Sequence, residues 1–213
     1  MMKLYWARGT CALAAHIALE EAGAAYETER VDFATAGQRS PEYLKINPKG
    51  RVPALVTDRG VLSENPAILG YIAETFQDAK LASIADSFAF AQMQAFNLFL
   101  CATVHPAFAH RFRPERYAES DEAKADVKAK APAALADHFR LIEDRFSDGR
   151  TWVNGDAYSV SDPYLYVFTR WLFRDGMGDP HRFPHSLAHM TRVDCRPAVQ
   201  RVLAAEDDVA IAP

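Results

Sequence analysis

Residues 4–23 read LYWARGTCALAAHIALEEAG, and the architecture of the first part of the chain follows from them. A short apolar run breaks at Gly9-Thr10 and passes into CALAAHIALEE, where apolar residues recur at helical spacing. This predicts strand, turn, helix, with Gly23 as the stop. YETERVDF (26–33) then alternates as a second strand, with Tyr26, Thr28 and Arg30 opposite Glu27, Glu29 and Val31. A short helical piece at SPEYLKI (40–46) leads to NPKGRVPALVTDRGVLSENPAIL (47–69). There ALVTD and GVLSE flank a turn bearing Gly60 and form a hairpin, and a helix over 65–76 closes the unit. Strand-helix-strand followed by hairpin and helix is an α/β layout, a mixed four-stranded sheet covered by helices over residues 1–79.

Beyond residue 83 the strand signals vanish. SFAFAQMQAFNLFLCATVHPAFAHRF (87–112), the Ala- and Lys-rich stretch 121–146, DPYLYVFTRWLF (162–173) and PAVQRVLAAE (197–206) read as helices punctuated by Pro and Gly. The expectation is an all-helical second unit, 83–213, joined through a linker at 77–82.

The 213 residues are 49% hydrophobic and 24% charged, which suits an ordinary globular chain of one or two domains. A net charge of -4 argues against nucleic acid as a partner, since phosphate binding needs clustered Lys and Arg. MMKLYWARGT carries too short an apolar run for a signal peptide, and no long uninterrupted apolar stretch suggests a membrane span, so a cytoplasmic enzyme is expected. Three cysteines, Cys11, Cys101 and Cys195, form neither a disulfide framework nor a zinc site by their spacing, and no metal is expected.

Three features carry chemistry, each beside a plainer structural reading. Val52-Pro53, after the turn-forming NPKG, suits a tight turn that holds the Val52 N–H and C=O outward for an extended peptide, or simply an edge-strand turn. SENPAIL (63–69) turns a strand into a helix, so N–H groups and the positive dipole end face any carboxylate; capping by Ser63 or Asn65 is the alternative. Cys11 sits at the first turn of a helix, where the dipole favours a thiolate, although a lone Cys is more often a buried small apolar residue.

In that order, LYWARGTCALAAHIALEEAG, NPKGRVPALV (47–56) and LSENPAILGYIAE (62–74) resemble the thioredoxin-like N-terminal domain of glutathione transferases, nearest the bacterial Beta-type class. TWVNGDAYSVSDPYLYV (151–167) looks like the capping-box segment of the family's helical domain, with Ser159 as N-cap and Asp162 three residues on. The resemblance implies glutathione as co-substrate, paired to Val52 ahead of a cis Pro53, with Glu64 and Asn65 on its γ-glutamyl end and Cys11 beside its sulfur. It implies that His105, in ATVHPAF (102–108), reaches the sulfur from the helical half. Tyr5 matches a sulfur-activating tyrosine of other classes, with core packing as the simpler account. A small hydrophobic electrophile would lie between the domains, against a supply of aromatics in Phe108, Phe112, Tyr117, Tyr164 and Trp171. A detoxifying bacterial homodimer is the implied setting.

The sequence also departs from the family's pattern. Glu64-Asn65 replaces an acidic-Ser pair; Ala36 stands near a usual lysine, with Arg51 able to compensate at the glycyl carboxylate; Pro106 follows His105; and Pro163 shifts the helix start. Two other functions stay open: monothiol disulfide exchange through Cys11, which lacks a Cys three residues away, and non-catalytic glutathione binding.

Overall fold

The computed structural model describes residues 1–206; the last part of the expected second unit, 207–213, lies outside them. Four strands, β1 (Met2–Trp6), β2 (Tyr26–Arg30), β3 (Ala54–Thr57) and β4 (Gly60–Ser63), form one sheet in the order β2-β1-β3-β4. β1 runs parallel to β2 and antiparallel to β3, and β3 and β4 form the hairpin. Leu4, Tyr5 and Trp6 are buried because β1 is central, with neighbours on both edges. The expected second strand is β2, on an exposed edge of the sheet: only Tyr26 is half-buried, and Lys3 pairs with Glu29 across it.

The parallel pair requires a crossover, which is α1 (Ala12–Glu21). Every residue from Ala12 to Leu19 is buried, and all are apolar but His16, whose ring pairs with Glu206 at 2.7 Å. The alanines let α1 lie close to α3 (Asn65–Thr75), α7 (Ser161–Arg174) and α9 (Pro197–Ala205), so this helix joins the sheet unit to the helical one. α2 (Pro41–Ile46) begins at Ser40, whose Oγ accepts the Tyr43 N–H at 3.1 Å.

The run 87–112 is α4 (Ser87–Phe99) and α5 (His105–Phe112), separated by a π-helical turn at Leu100–Val104. Pro106 explains it: without an N–H, and with a ring that crowds the preceding turn, it cannot continue an ordinary α ladder, and a widened turn absorbs the fault. By length and composition this run could cross a membrane, contrary to the sequence expectation. Here Met93, Phe96, Leu100, Val104 and Phe108 are buried in the core.

α6 (Asp121–Phe146) follows Ser120, which caps it through the Ala123 N–H. α8 (Pro184–Asp194) is the helix the sequence reading missed. Its buried face is Ser186, His189, Met190, Val193 and Asp194, a helical stripe written mostly in polar residues, so apolar periodicity could not show it.

α7 starts one residue later than a cap at Ser159 would give, with Val160 at the N-cap position. The expected box is nonetheless closed. Asp162 Oδ2 accepts the Ser159 N–H at 2.7 Å and its hydroxyl at 3.1 Å, and Ser159 Oγ accepts the Ser161 N–H at 3.3 Å. Asp162 Oδ1 accepts the Val153 N–H at 2.8 Å and lies 3.0 Å from His189 Nε2.

Candidate functional site

The site is built on two turns that meet at the start of α1. In the first, Asn47 Nδ2 and the Tyr43 hydroxyl each donate to the Arg51 carbonyl at 2.7 Å, and Asn47 Oδ1 accepts the Lys49 N–H at 3.2 Å. Gly50, at φ +59°, completes it where a Cβ would press to 2.9 Å from the Gln38 carbonyl. The fixed turn presents Val52 ahead of a cis bond to Pro53. Among the described residues nothing accepts the Val52 N–H, and its carbonyl accepts only the Cys11 thiol, at 3.9 Å.

The second turn is the start of α3. Glu64 sits at φ 72°, ψ 123°, a conformation that costs a non-glycine residue on the order of 1–3 kcal/mol. No side chain caps the helix, so simple capping by Ser63 or Asn65 is not what these residues do. Asn65 is buried and donates through Nδ2 to the Cys11 carbonyl at 2.9 Å, while its Oδ1, also buried, has no partner among the described residues. Lys49 Nζ meets Glu64 Oε1 at 2.6 Å on the surface.

Cys11 is the N-cap residue of α1, as expected, but its acidity runs the other way. Burial first, and then neighbouring Cys101 and Glu64, push its thiol up to about 12. A helix terminus is worth about 0.3–1 kcal/mol to an anion, less than one pKa unit, and desolvation of a buried thiolate exceeds that. Cys11 is therefore a neutral thiol with an S–H to donate.

His105 enters from the helical side at the first residue of α5, immediately after the π-helical turn. Its ring packs 5.4 Å from both Phe168 and Trp171. Burial, then the positive charges of Arg51 and Arg116, lower its pKa to about 4 against the opposing pull of Glu64. The imidazole is neutral at physiological pH, and its electrostatic neighbours Arg51 and Glu64 belong to the two turns of the sheet unit.

Residues 1–74 match the glutathione S-transferase N-terminal domain, and residues 83–197 match the glutathione S-transferase C-terminal domain. The chain belongs to the glutathione S-transferase family. It is 35% identical to the glutathione S-transferase GST-4.5 of Xanthomonas campestris pv. campestris, over 83% of this chain and 85% of that one. A glutathione transferase homologue from Sulfitobacter, solved with bound glutathione, superposes with a TM-score of 0.89 at 38% identity, covering 96% of this chain and 98% of that one. A bacterial beta class glutathione S-transferase of Sphingomonas chungbukensis superposes with a TM-score of 0.84 at 37% identity, covering 97% and 100%. The thioredoxin-like sheet unit followed by a helical unit is the family's fold.

Within this family member, Cys11, Val52, Pro53, Glu64 and Asn65 come together directly, and the charges of Arg51 and Glu64 reach His105. Tyr5 stands apart: it is buried, with its ring edge-on to Tyr43 of α2 at 5.7 Å. Ala36 precedes the short 3-10 turn Gly37–Arg39 and brings no charge. Of the aromatics, Phe108 and Tyr164 are core, Trp171 is half-buried, and Phe112 and Tyr117 are exposed.

Two residues near the site escaped the sequence reading. Cys101 lies half-buried in the π-helical turn against the Tyr164 hydroxyl, and its field adds to burial in raising the Cys11 thiol. Arg116 ends the short turn after α5. No motif marks either one, because the widened helical turn and the fold of the following loop set their positions. Lys49 was legible only as part of NPKG. Among the described residues, no group of three or more His, Cys, Asp or Glu could hold a metal.

Proposed function

We propose that this enzyme activates the thiol of glutathione and transfers the thiolate to a small hydrophobic electrophile. The observation that carries the reading is buried Cys11, whose thiol donates to the Val52 carbonyl and whose own carbonyl accepts from the Asn65 amide, beside a backbone N–H and an amide oxygen that are both without partners among the described residues. A bound tripeptide supplies what those groups lack. Its cysteinyl backbone pairs with Val52 as an added strand, its γ-glutamyl end meets Glu64, Asn65 and the open N–H groups of α3, and Arg51 takes the glycyl carboxylate.

In this geometry the Cys11 S–H turns from Val52 toward the glutathione sulfur and donates to it. Neutral His105 offers an N–H from the other side. Two donors in a partly desolvated cleft stabilise the thiolate, and the glutathione proton leaves to water. The thiolate then forms a C–S bond at the activated carbon as the leaving group departs with its electron pair. Tyr5 keeps a packing role. Residues 1–79 serve as the glutathione-binding unit and 83–213 as the unit that supplies the second-substrate pocket. We take the assembly to be a homodimer, the setting cytoplasmic and the role detoxification; the three cysteines, all free, suit a reducing compartment.

The raised Cys11 pKa weighs against disulfide exchange, which needs the thiolate as nucleophile. Steady-state rates with an aryl halide and with a glutathionyl mixed disulfide, for wild type and Cys11→Ala, separate the two reactions. The reading requires aryl halide turnover that falls about tenfold in the variant and negligible disulfide turnover. Dominant disulfide turnover abolished by Cys11→Ala would replace it with the exchange reaction.

A further inference from the structure

His105 takes its direction from the helix that carries it. Phe96, Leu100, Val104 and Phe108 are all buried, at intervals of four residues. An α-helix turns about 100° per residue, so an unbroken one would leave Phe108 about 120° out of phase with Phe96. Both rings are nonetheless buried and held: Arg145 lies 4.9 Å over Phe96, and Phe108 meets Phe168 at 6.0 Å and Trp171 at 5.5 Å. The π-helical turn Leu100–Val104 reconciles them, because its wider bonds take up one extra residue and return about 100° of the drift.

The place of that extra residue decides where the imidazole points. With the π turn upstream, helical geometry puts His105 about 80° from Phe96 around the axis. Were the extra residue taken up downstream, the same geometry would put His105 about 180° from Phe96, facing away from the core. The observed side is the one that meets the site. The His105 ring packs 5.4 Å from Phe168 and Trp171, and Trp171 lines one cleft with Gly9, Thr10 and Leu13, the residues around Cys11. The last widened bond runs from the His105 N–H to the Leu100 carbonyl, and the next residue is Pro106. A proline is tolerated in a first helical turn, where Pro106 stands as the second residue of α5. Further along a helix its missing N–H and its ring would break the ladder. The extra residue is thereby confined to the N-terminal side of His105.

We propose that Pro106 is a positioning residue for the transfer reaction: it locks the π turn upstream of His105 and so aims the imidazole at the cleft. The inference rests on the transferase reading, in which His105 lends an N–H to the glutathione sulfur. Pro106→Ala restores an N–H and lets the extra residue migrate past His105 while Phe96 and Phe108 stay buried. With chlorodinitrobenzene as substrate, kcat should fall about tenfold, the scale of one hydrogen bond to a charged group, and KM for glutathione should change less than about twofold. The thiol pKa of bound glutathione should rise by about one unit. His105→Gln should lose as much, and the double variant no more than either alone. Ala102 is an exposed residue of the π turn. Deleting it from the Pro106→Ala protein removes the extra residue altogether and returns His105 to its original direction, so most of the rate should be recovered. A Pro106→Ala enzyme with wild-type kcat, beside a His105→Gln enzyme that has lost activity, overturns this proposal alone. So does a loss that adds to that of His105→Gln, or one that a folded deletion variant does not recover, since Pro106 would then act on the fold and not through His105. An unchanged rate in both single variants removes His105 from the transferase reading, and this proposal with it.

Discussion

The starts of α3 and α7 pose the same physical problem and solve it differently. Each helix leaves N–H donors at its first turn that must find an acceptor. At α7 the protein answers from within: the Ser159 hydroxyl and carbonyl accept the first N–H groups, of Ser161 and Asp162, while Asp162 takes bonds from Ser159 and Val153 and touches His189, all inside the core. At α3 it does not. Glu64 is held in a strained conformation, no side chain caps the helix, and Asn65 directs its amide to the Cys11 carbonyl with its own oxygen left bare. A helix start that saturates itself is scaffold, and one that keeps donors open beside a cleft is poised for a ligand.

The largest effect expected from this contrast is at α7. Asp162→Ala strands several buried donors and should cost about 3–5 kcal/mol, read by denaturant unfolding. A loss under about 1 kcal/mol would mean the network is decoration. Asn65→Ala should invert the pattern. Its stability falls by about 1–2 kcal/mol, while kcat/KM for glutathione drops on the order of a hundredfold as the Cys11 backbone and the γ-glutamyl contact are both lost. Equal losses in both assays would erase the distinction between the two starts. Glu64→Gly sharpens it further: releasing the positive φ should raise stability by up to about 1 kcal/mol while KM for glutathione rises several-fold. The exposed Lys49–Glu64 pair offsets little of that gain.

A smaller effect is expected from pH. His105 is lowered from its ordinary 6.5 to about 4, so between those values the unfolded chain takes a proton that the folded chain refuses. Stability is therefore complete above pH 6.5 and declines as pH falls toward 4, and His105→Gln should flatten that decline. Cys11 contributes at the other end, because the folded thiol stays protonated near pH 9 where the unfolded one ionises, and stability falls as pH rises. Unfolding free energies across pH 4–10 for wild type and both variants decide the matter.

Much of the fold was legible because the relevant signals are local. The strand-turn-helix of residues 4–23, the hairpin about Gly60 and the Pro-Gly punctuation of the helical half all reappear at the expected places. α8 was hidden because its buried stripe is largely Ser, His and Asp, which bury only when partners satisfy them. β2 was readable as a strand but not as an edge, because alternation reports the pleat and not whether another strand lies beyond. At the site, the positions of Cys11, Val52 and Asn65 were readable, since turns and helix starts are local events. The state of Cys11 was not, because desolvation comes from residues distant in sequence, Cys101 among them. Tyr5 shows the converse: its place in β1 was evident, while its contact with Tyr43 depends on where α2 packs.

The account rests on a neutral Cys11 that lends a hydrogen bond to a bound thiolate. The most direct test is an ultraviolet thiolate titration of glutathione bound to wild type and to Cys11→Ala. The account predicts a bound thiol well below the free cysteine value of about 8.5 in wild type, rising by about one unit in the variant. An identical midpoint in both proteins would contradict it.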